Sequence, residues 1–515
     1  MSEMKCVIRY ELLLVSVFFL SACSGENKNQ READPLSAIE SAVLEDKDGF
    51  YYVNVADYDA KDTSLPIGVF DSGTGGLTVL DALVQYDQNN NEQHASGSDG
   101  KIDFLNEEFV YLADQANMPY GNYHKEKKSD LLKEHVLKDV QFLLGNRYYT
   151  NSTDKTYKED KRRVKALVIA CNTATAYGQE KIDEFIAKSK LDIPVIGVIN
   201  AGSRGTLAGF GKDEDGAIGV FATVGTVASK GYENTILKMK KELGYTGDLQ
   251  IYNQGGHGVA EAVDGERDFV DRKLTAPRKD YRGPSLSNAD YKIEKTLMDV
   301  YNFDFDKSKM LCDTKNTDDC QNLQINSADN YVRYHLVSLM EKIRQNPSAK
   351  PLKALVLGCT HYPYLVKEIK SVFADLYNYK KDGKYVYRPF MDKDINIINP
   401  AEYVAKELYE ALKSRESFNK GGQINNSEFY ISVPNLDNKK VEVDENQRFT
   451  YAYKYGRQVG EIQEYVKVVP FSRNNISSDV TDRLNQSIPA TFSLIKSFNA
   501  ANKKVSQLPA TERIQ

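Results

Sequence analysis

Residues 66–80 read PIGVF-DSGTGG-LTVL: an apolar run, a Gly-rich turn opened by Asp71, and then Leu77, Leu80, Leu83 and Val84 at helical spacing. Strand, tight turn and amphipathic helix in immediate succession are the start of an α/β unit. The same grammar returns downstream. FVYLA at 109–113 predicts a strand, apolar positions 132, 136, 140 and 143 predict a helix over 131–144, and ALVIA at 166–170 predicts another strand. Strands that are apolar at every position, not at alternate ones, are buried on both faces and point to a parallel sheet covered by helices.

Two tetrapeptides repeat. IGVF at 67–70 recurs at 218–221, and KALV at 165–168, just before Cys171, recurs at 353–356, just before Cys359. The echo predicts two pseudo-symmetric, doubly wound α/β domains with parallel sheets, each carrying a Cys at the end of an equivalent strand. Ligands of open α/β sheets bind beyond the carboxyl ends of the strands. Two such halves face to face would present both thiols to one crevice, which is the expected active site.

The chain has 515 residues, enough for about three domains, or two with insertions. Lys plus Arg number 67 and Asp plus Glu 73, a net charge of −6, so no electrostatic footprint for nucleic acid is present. An apolar fraction of 41% excludes global disorder. At the amino terminus, Lys5 and Arg9 precede an apolar run over 12–20 and then Leu20-Ser21-Ala22-Cys23. This is built like an export signal, and the small residues before Cys23 resemble the lipobox of bacterial lipoproteins. The expectation is a signal peptide over 1–22, a lipid-modified Cys23 followed by a polar tether and extension over 23–64, and a bacterial cell-envelope location, lipid-anchored and facing the periplasm or exterior. Membrane contact would run through that anchor. The remaining divisions are a first α/β domain over 65–198 plus 395–434, a second over 199–394, and a C-terminal extension over 435–515. Polar insertions interrupt them at 88–101, 146–163 and about 266–328. The first reads as a mobile surface loop, and the third carries Cys312 and Cys320, which the spacing predicts as a local disulfide rather than a metal site, since no His accompanies them.

CNTA at 171–174 and GCTHYP at 358–363 each place a thiol on a strand-to-helix turn among hydroxyl and amide groups. A helix N-terminus or a neighbouring His such as His361 supports a thiolate. Two opposed thiols suit a reaction that removes a proton from one face of a carbon and returns one to the other. Asn, Thr and Ser donors can hold a carboxylate as it gains enolate character. No pyridoxal-binding lysine signature is present. The turn at 71–76 lacks the Lys-Ser/Thr ending of a P-loop and misses the G-x-G-x-x-G spacing. Asp71 could engage an ammonium group, tune Cys171 or cap the helix that follows.

At these residues the chain resembles the cofactor-independent glutamate racemases of the Asp/Glu racemase superfamily. IGVFDSGTGGLTVL, DQANMPYG, ACNTATA, PVIGVI, IGVFATVGTV and LGCTHYP occur in the family's order over about 66–434. GCTHYP together with DSGxGG separates glutamate racemases from aspartate and hydantoin racemases. The resemblance implies Cys171 and Cys359 as catalytic thiols, supported by Asp71 and His361. It implies a substrate site lined by Asp71, Ser72, Tyr120, Gly121, Asn172, Thr173, Thr360 and His361. It further implies no cofactor, no metal, a small-molecule substrate such as glutamate or a related acidic amino acid, an arrangement compatible with a homodimer, and a link to D-amino acids of peptidoglycan and cell wall biogenesis. Three points depart from the family. Asn200-Ala201 follow PVIGVI where an acid and Pro are usual, and NQGGH at 253–257 replaces a Cys-Pro run, with Glu261 and Asp264 just beyond. The third departure is the export signal itself. The leading function is a racemase interconverting L- and D-glutamate. The alternatives are a non-catalytic lipoprotein that binds acidic amino acids, and a racemase or epimerase for a different carboxylate substrate in the envelope.

Overall fold

Every residue of the first strand, Ile67–Asp71, is buried, as a strand covered by helices on both sides must be. The computed structural model describes residues 35–314 and 319–515; the expected signal peptide, Cys23 and the polar tether lie outside them. In chain order the strands are β1 (Ile67–Asp71), β2 (Phe109–Ala113), β3 (Ala166–Ile169) and β4 (Val195–Gly197). There follow β5 (Gly216–Ala222), β6 (Leu249–Gly255), the pair β7 (Met310–Cys312) and β8 (Leu323–Ile325), and β9 (Leu352–Gly358). The short pair β10 (Lys380–Lys381) and β11 (Lys384–Tyr385), then β12 (Met391–Ile398), β13 (Glu428–Pro434) and β14 (Val466–Pro470) complete the series.

The first sheet runs β14-β13-β2-β1-β3-β4 and the second β12-β9-β5-β6. All neighbours pair in parallel except β13 with β14. Read from its other edge, the second sheet is β6-β5-β9-β12, the same order as β2-β1-β3-β4. The repeated tetrapeptides therefore occupy equivalent strands: IGVF lies in β1 and β5, and KALV enters β3 and β9. Alternation along β1 divides its side chains between two layers. Ile67 and Val69 pack with Leu77, Leu80 and Leu83, while Phe70 packs with Leu132, Val136 and Val140. In β5, Ile218 and Val220 join the same core as Val69, whereas Ala217 and Phe221 pack with Leu336, Leu339 and Ile369. One apolar core thus runs between the two sheets and sets how their strand ends meet.

The chain crosses from the first sheet to the second through helix Val198–Ala208 and returns through helix Pro400–Ser414. Gly205 permits their close contact, since a β-carbon there would meet the Tyr403 ring at 2.3 Å. Arg204 then clips the crossing with two hydrogen bonds of 2.6 Å to the Glu407 carboxylate.

Several boundaries differ from the sequence reading. The division at 394/395 falls inside β12, which completes the second sheet, and 435–515 is not an appendage, because β14 pairs with β13 and extends the first sheet. Residues 37–515 form one compact unit. The loop at 88–101, expected to be mobile, is tied down: the His94 ring stacks on Phe418 with centroids 4.5 Å apart, and Asn89 donates to Asp103 at 2.8 Å. In the long insertion Cys312 and Cys320 form the expected disulfide.

Candidate active site

Cys171 follows β3 and occupies the N-cap of helix Asn172–Ser189, where its Sγ accepts from the Ala174 N–H at 3.4 Å. Its S–H is directed at Ser72 Oγ, 3.8 Å away on the turn after β1. β1 and β3 are neighbours, so Asp71 at the end of β1 stands beside the thiol. The Asp71 carboxylate is buried and its Oδ2 accepts from Gly76 N–H at 2.8 Å and Gly73 N–H at 3.2 Å. Gly76 is required for this inward fold of the turn, since a β-carbon there would lie 2.4 Å from Asp71 Cβ. Burial raises the Asp71 carboxyl against the lowering effect of those amides. Burial, followed by the Asp71 charge, pushes the Cys171 thiol well up, so its resting form is the protonated one.

The second thiol has the opposite surroundings. Cys359 follows β9, and its Sγ lies 3.6 Å from His361 Nδ1. His361 Nε2 is 3.1 Å from Asp264 Oδ1, at the end of helix Val259–Asp264. Burial disfavours the imidazolium, but Asp264 and Cys359 outweigh it and push His361 up to about 10. At neutral pH a positive charge therefore stands beside Cys359. Asp264, not Glu261, is the acid that reaches His361. His257 takes no part, because its Nε2 is held by the Arg282 carbonyl at 2.9 Å and its ring stacks on Tyr291.

The two turns face one another. A β-carbon on Gly75 would lie 3.1 Å from Thr360 Oγ1, and Gly121 and Gly225 meet across the rim. Asn172, Cys359 and Thr360 line a cavity of about 490 Å³, whose wall does not include Cys171, Asp71, Ser72 or His361. Tyr232 crosses the divide, its hydroxyl donating to Asn172 Oδ1 at 2.9 Å. The sequence held no cue to this residue, one of 33 tyrosines. Thr173 is partly exposed on the first turn of its helix.

Tyr120 behaves differently from the expectation that it lines the substrate site. Its side chain is buried inside the first half, with the hydroxyl 2.6 Å from Asp114 Oδ2 and 2.7 Å from Asp139 Oδ2. One hydroxyl proton cannot serve two carboxylates. Burial, then the Asp114 charge, pushes Asp139 far up, so Asp139 holds the second proton. Among the described residues the cluster of metal-ligand types is Cys312, Asp313 and Cys320, whose sulfurs are spent in the disulfide.

Two largely parallel sheets thus each carry a thiol just beyond an equivalent strand, Cys171 after β3 and Cys359 after β9. The chain is 33% identical over 366 residues to the glutamate racemase of Oceanobacillus iheyensis, covering 71% of this chain and 86% of that protein. It is 34% identical over 306 residues to that of Limosilactobacillus fermentum, covering 59% and 72%. Among solved structures, a glutamate racemase isoform from Bacillus anthracis aligns at 23% identity with a TM-score of 0.40, over 71% of this chain and 86% of that one. No model of a protein family matches the chain. The chain belongs to the glutamate racemase family, and it is an isomerase of the amino-acid racemase class.

Proposed function

We propose that this racemase interconverts L- and D-glutamate by cofactor-independent two-base proton transfer between Cys171 and Cys359. The observation that carries the reading is the contrast between the two thiols: a protonated Cys171 beside Asp71, and Cys359 beside a charged His361. A thiolate at Cys359 takes the Cα proton, and the electron pair of the broken C–H bond moves into the carboxylate as an enolate. Cys171 then gives its proton to the opposite face, the new C–H bond forms, and the two thiols end with exchanged protonation states. The reverse reaction begins from that exchanged state. Asn172, Thr173 and Thr360 supply donors for the carboxylate as negative charge grows on it. Incubation with L-glutamate in deuterated water is expected to give D-glutamate with deuterium at Cα. Absence of exchange would remove glutamate as the substrate.

A second reading keeps the chemistry and enlarges the substrate. The cavity continues past Thr360 to Asp81, Gln85 and Glu402, and about 490 Å³ falls within the roughly 300–1,000 Å³ range of pockets for larger ligands. A carboxylate-bearing peptide fragment would then exchange where free glutamate does not.

The stretch Leu20-Ser21-Ala22-Cys23 supports export and lipid attachment at Cys23, with the enzyme held on the envelope face of a membrane. Cys23→Ala is expected to abolish lipid labelling and membrane retention. Recovery of wild-type protein from the cytosol with its first 22 residues intact would overturn this placement.

A further inference from the structure

The segment beyond residue 434 lies outside the stretch that resembles the family, yet it reaches the candidate site. Helix Ser478–Ser487 packs against helix Pro489–Ala501, which lies on helix Leu77–Val84. Asp81 Oδ1 caps the second of them, accepting from Thr491 N–H at 3.2 Å and its hydroxyl at 2.9 Å. Leu484, Ile488 and Phe492 enter the core shared by the two sheets. From this anchorage on the first half, Arg483 crosses to the second, where its Nη1 lies 2.7 Å from Asp264 Oδ1. The same oxygen is 3.1 Å from His361 Nε2.

We infer that Arg483 is a positioning residue of the racemase site, holding Asp264 against His361 and thereby fixing the cation beside Cys359. The inference rests on the proposed role of Cys359. Asp264 shares this corner with other acids. The Glu266 carboxyl is pushed up by burial and then by the charges of Glu261 and Asp264, against the opposing Arg282 charge. His361 alone would leave Asp264 drawn between one imidazole and solvent. The Arg483 guanidinium offsets the neighbouring carboxylates and fixes the oxygen that His361 uses. The arginine side chain is 30% exposed and Asp264 22% exposed, and the shared Oδ1 is buried, so Arg483 fixes where that oxygen sits.

Glutamate racemisation and iodoacetamide labelling of Cys359 by peptide mass mapping test the inference together. Arg483→Ala is expected to lower kcat about tenfold or more with KM little changed, and Arg483→Lys to recover most of the loss by restoring the charge. In the Asp264→Asn background Arg483→Ala should cause no further loss, because both changes act through one contact. Labelling of Cys359 at neutral pH should slow several-fold, with Cys171 unaffected, since loss of a nearby positive charge disfavours a thiolate. This arm needs no turnover, so a wild type inactive on glutamate would sink the substrate reading and leave labelling to decide the role of Arg483. Arg483→Gln, which keeps the packing of the stem, replaces the alanine variant if that fails to fold. Unchanged kcat with unchanged Cys359 labelling overturns the inference, and so does an equal loss in the presence and absence of the Asp264 carboxylate.

Discussion

The Tyr232 hydroxyl donates to Asn172 Oδ1 at 2.9 Å, joining a helix of the second half to the residue that follows Cys171 in the first. With its oxygen engaged, Asn172 keeps its NH2 group free to donate. The contact therefore fixes the amide with its donor end free for the carboxylate of the proposed reaction.

Tyr232→Phe removes that orientation while keeping the ring in the core. The lost hydrogen bond is expected to cost about 0.5–1.5 kcal/mol of stability. Steady-state kinetics should show KM raised several-fold and kcat changed less, because in the proposed mechanism the amide binds the substrate and moves no proton. A variant with unaltered KM would place Asn172 outside the carboxylate site.

Cys171→Ala and Cys359→Ala should each abolish racemisation, with a loss on the order of 10²-fold or more. Cys→Ser variants should retain a trace, since a hydroxyl is a far weaker base. Because the two thiols have opposite surroundings, each alanine variant should retain some Cα exchange with deuterated water from one enantiomer only, and not the same one. Near-normal turnover in either variant would sink the two-base assignment.

His361 provides a pH signature. Its folded value, about 10, lies above its ordinary 6.5, so its contribution to folding is complete below about 6.5 and is lost as pH rises toward 10. Denaturant midpoints at pH 6 and pH 10 should fall further in the wild type than in His361→Asn. Equal declines would mean that the imidazolium pair with Asp264 adds nothing to the fold.

The buried pair at Tyr120 makes a different demand. Asp139 acts there as an acid that holds its proton, so Asp139→Asn, whose amide also donates, should unfold within about 1 kcal/mol of wild type. Asp114 accepts from Asn117, Tyr120 and Ser432. Asp114→Asn should therefore cost more, about 1–3 kcal/mol. Calorimetric melting gives the order, and a reversed order would move the proton to Asp114.

Much of this protein is local and so is readable along the chain. Continuous apolar runs such as 67–70 and 166–170, bounded by turn residues, read as strands buried on both faces, and the IGVF and KALV echoes point to equivalent strands in two halves because a Cys follows each KALV copy. A thiol directly after such a strand has one place to go, the carboxyl edge of the sheet, so Cys171 and Cys359 were already legible with Asp71, Ser72 and His361 beside them. Partnerships between distant segments are another matter. Which acid meets His361 depends on whether helix Val259–Asp264 presents Glu261 or Asp264 to the β9 turn, and the rotation of a short helix is set by its packing. The same holds for Tyr120, whose motif pointed to the crevice while the buried Asp114 and Asp139 drew its hydroxyl inward. Arg483 stands 219 residues from Asp264, on a segment with no motif. Only the docking of the last helices against Asp81 and the shared core brings its charge to the site, because such a contact is fixed by the sum of burial across the fold and leaves no mark at the residue itself.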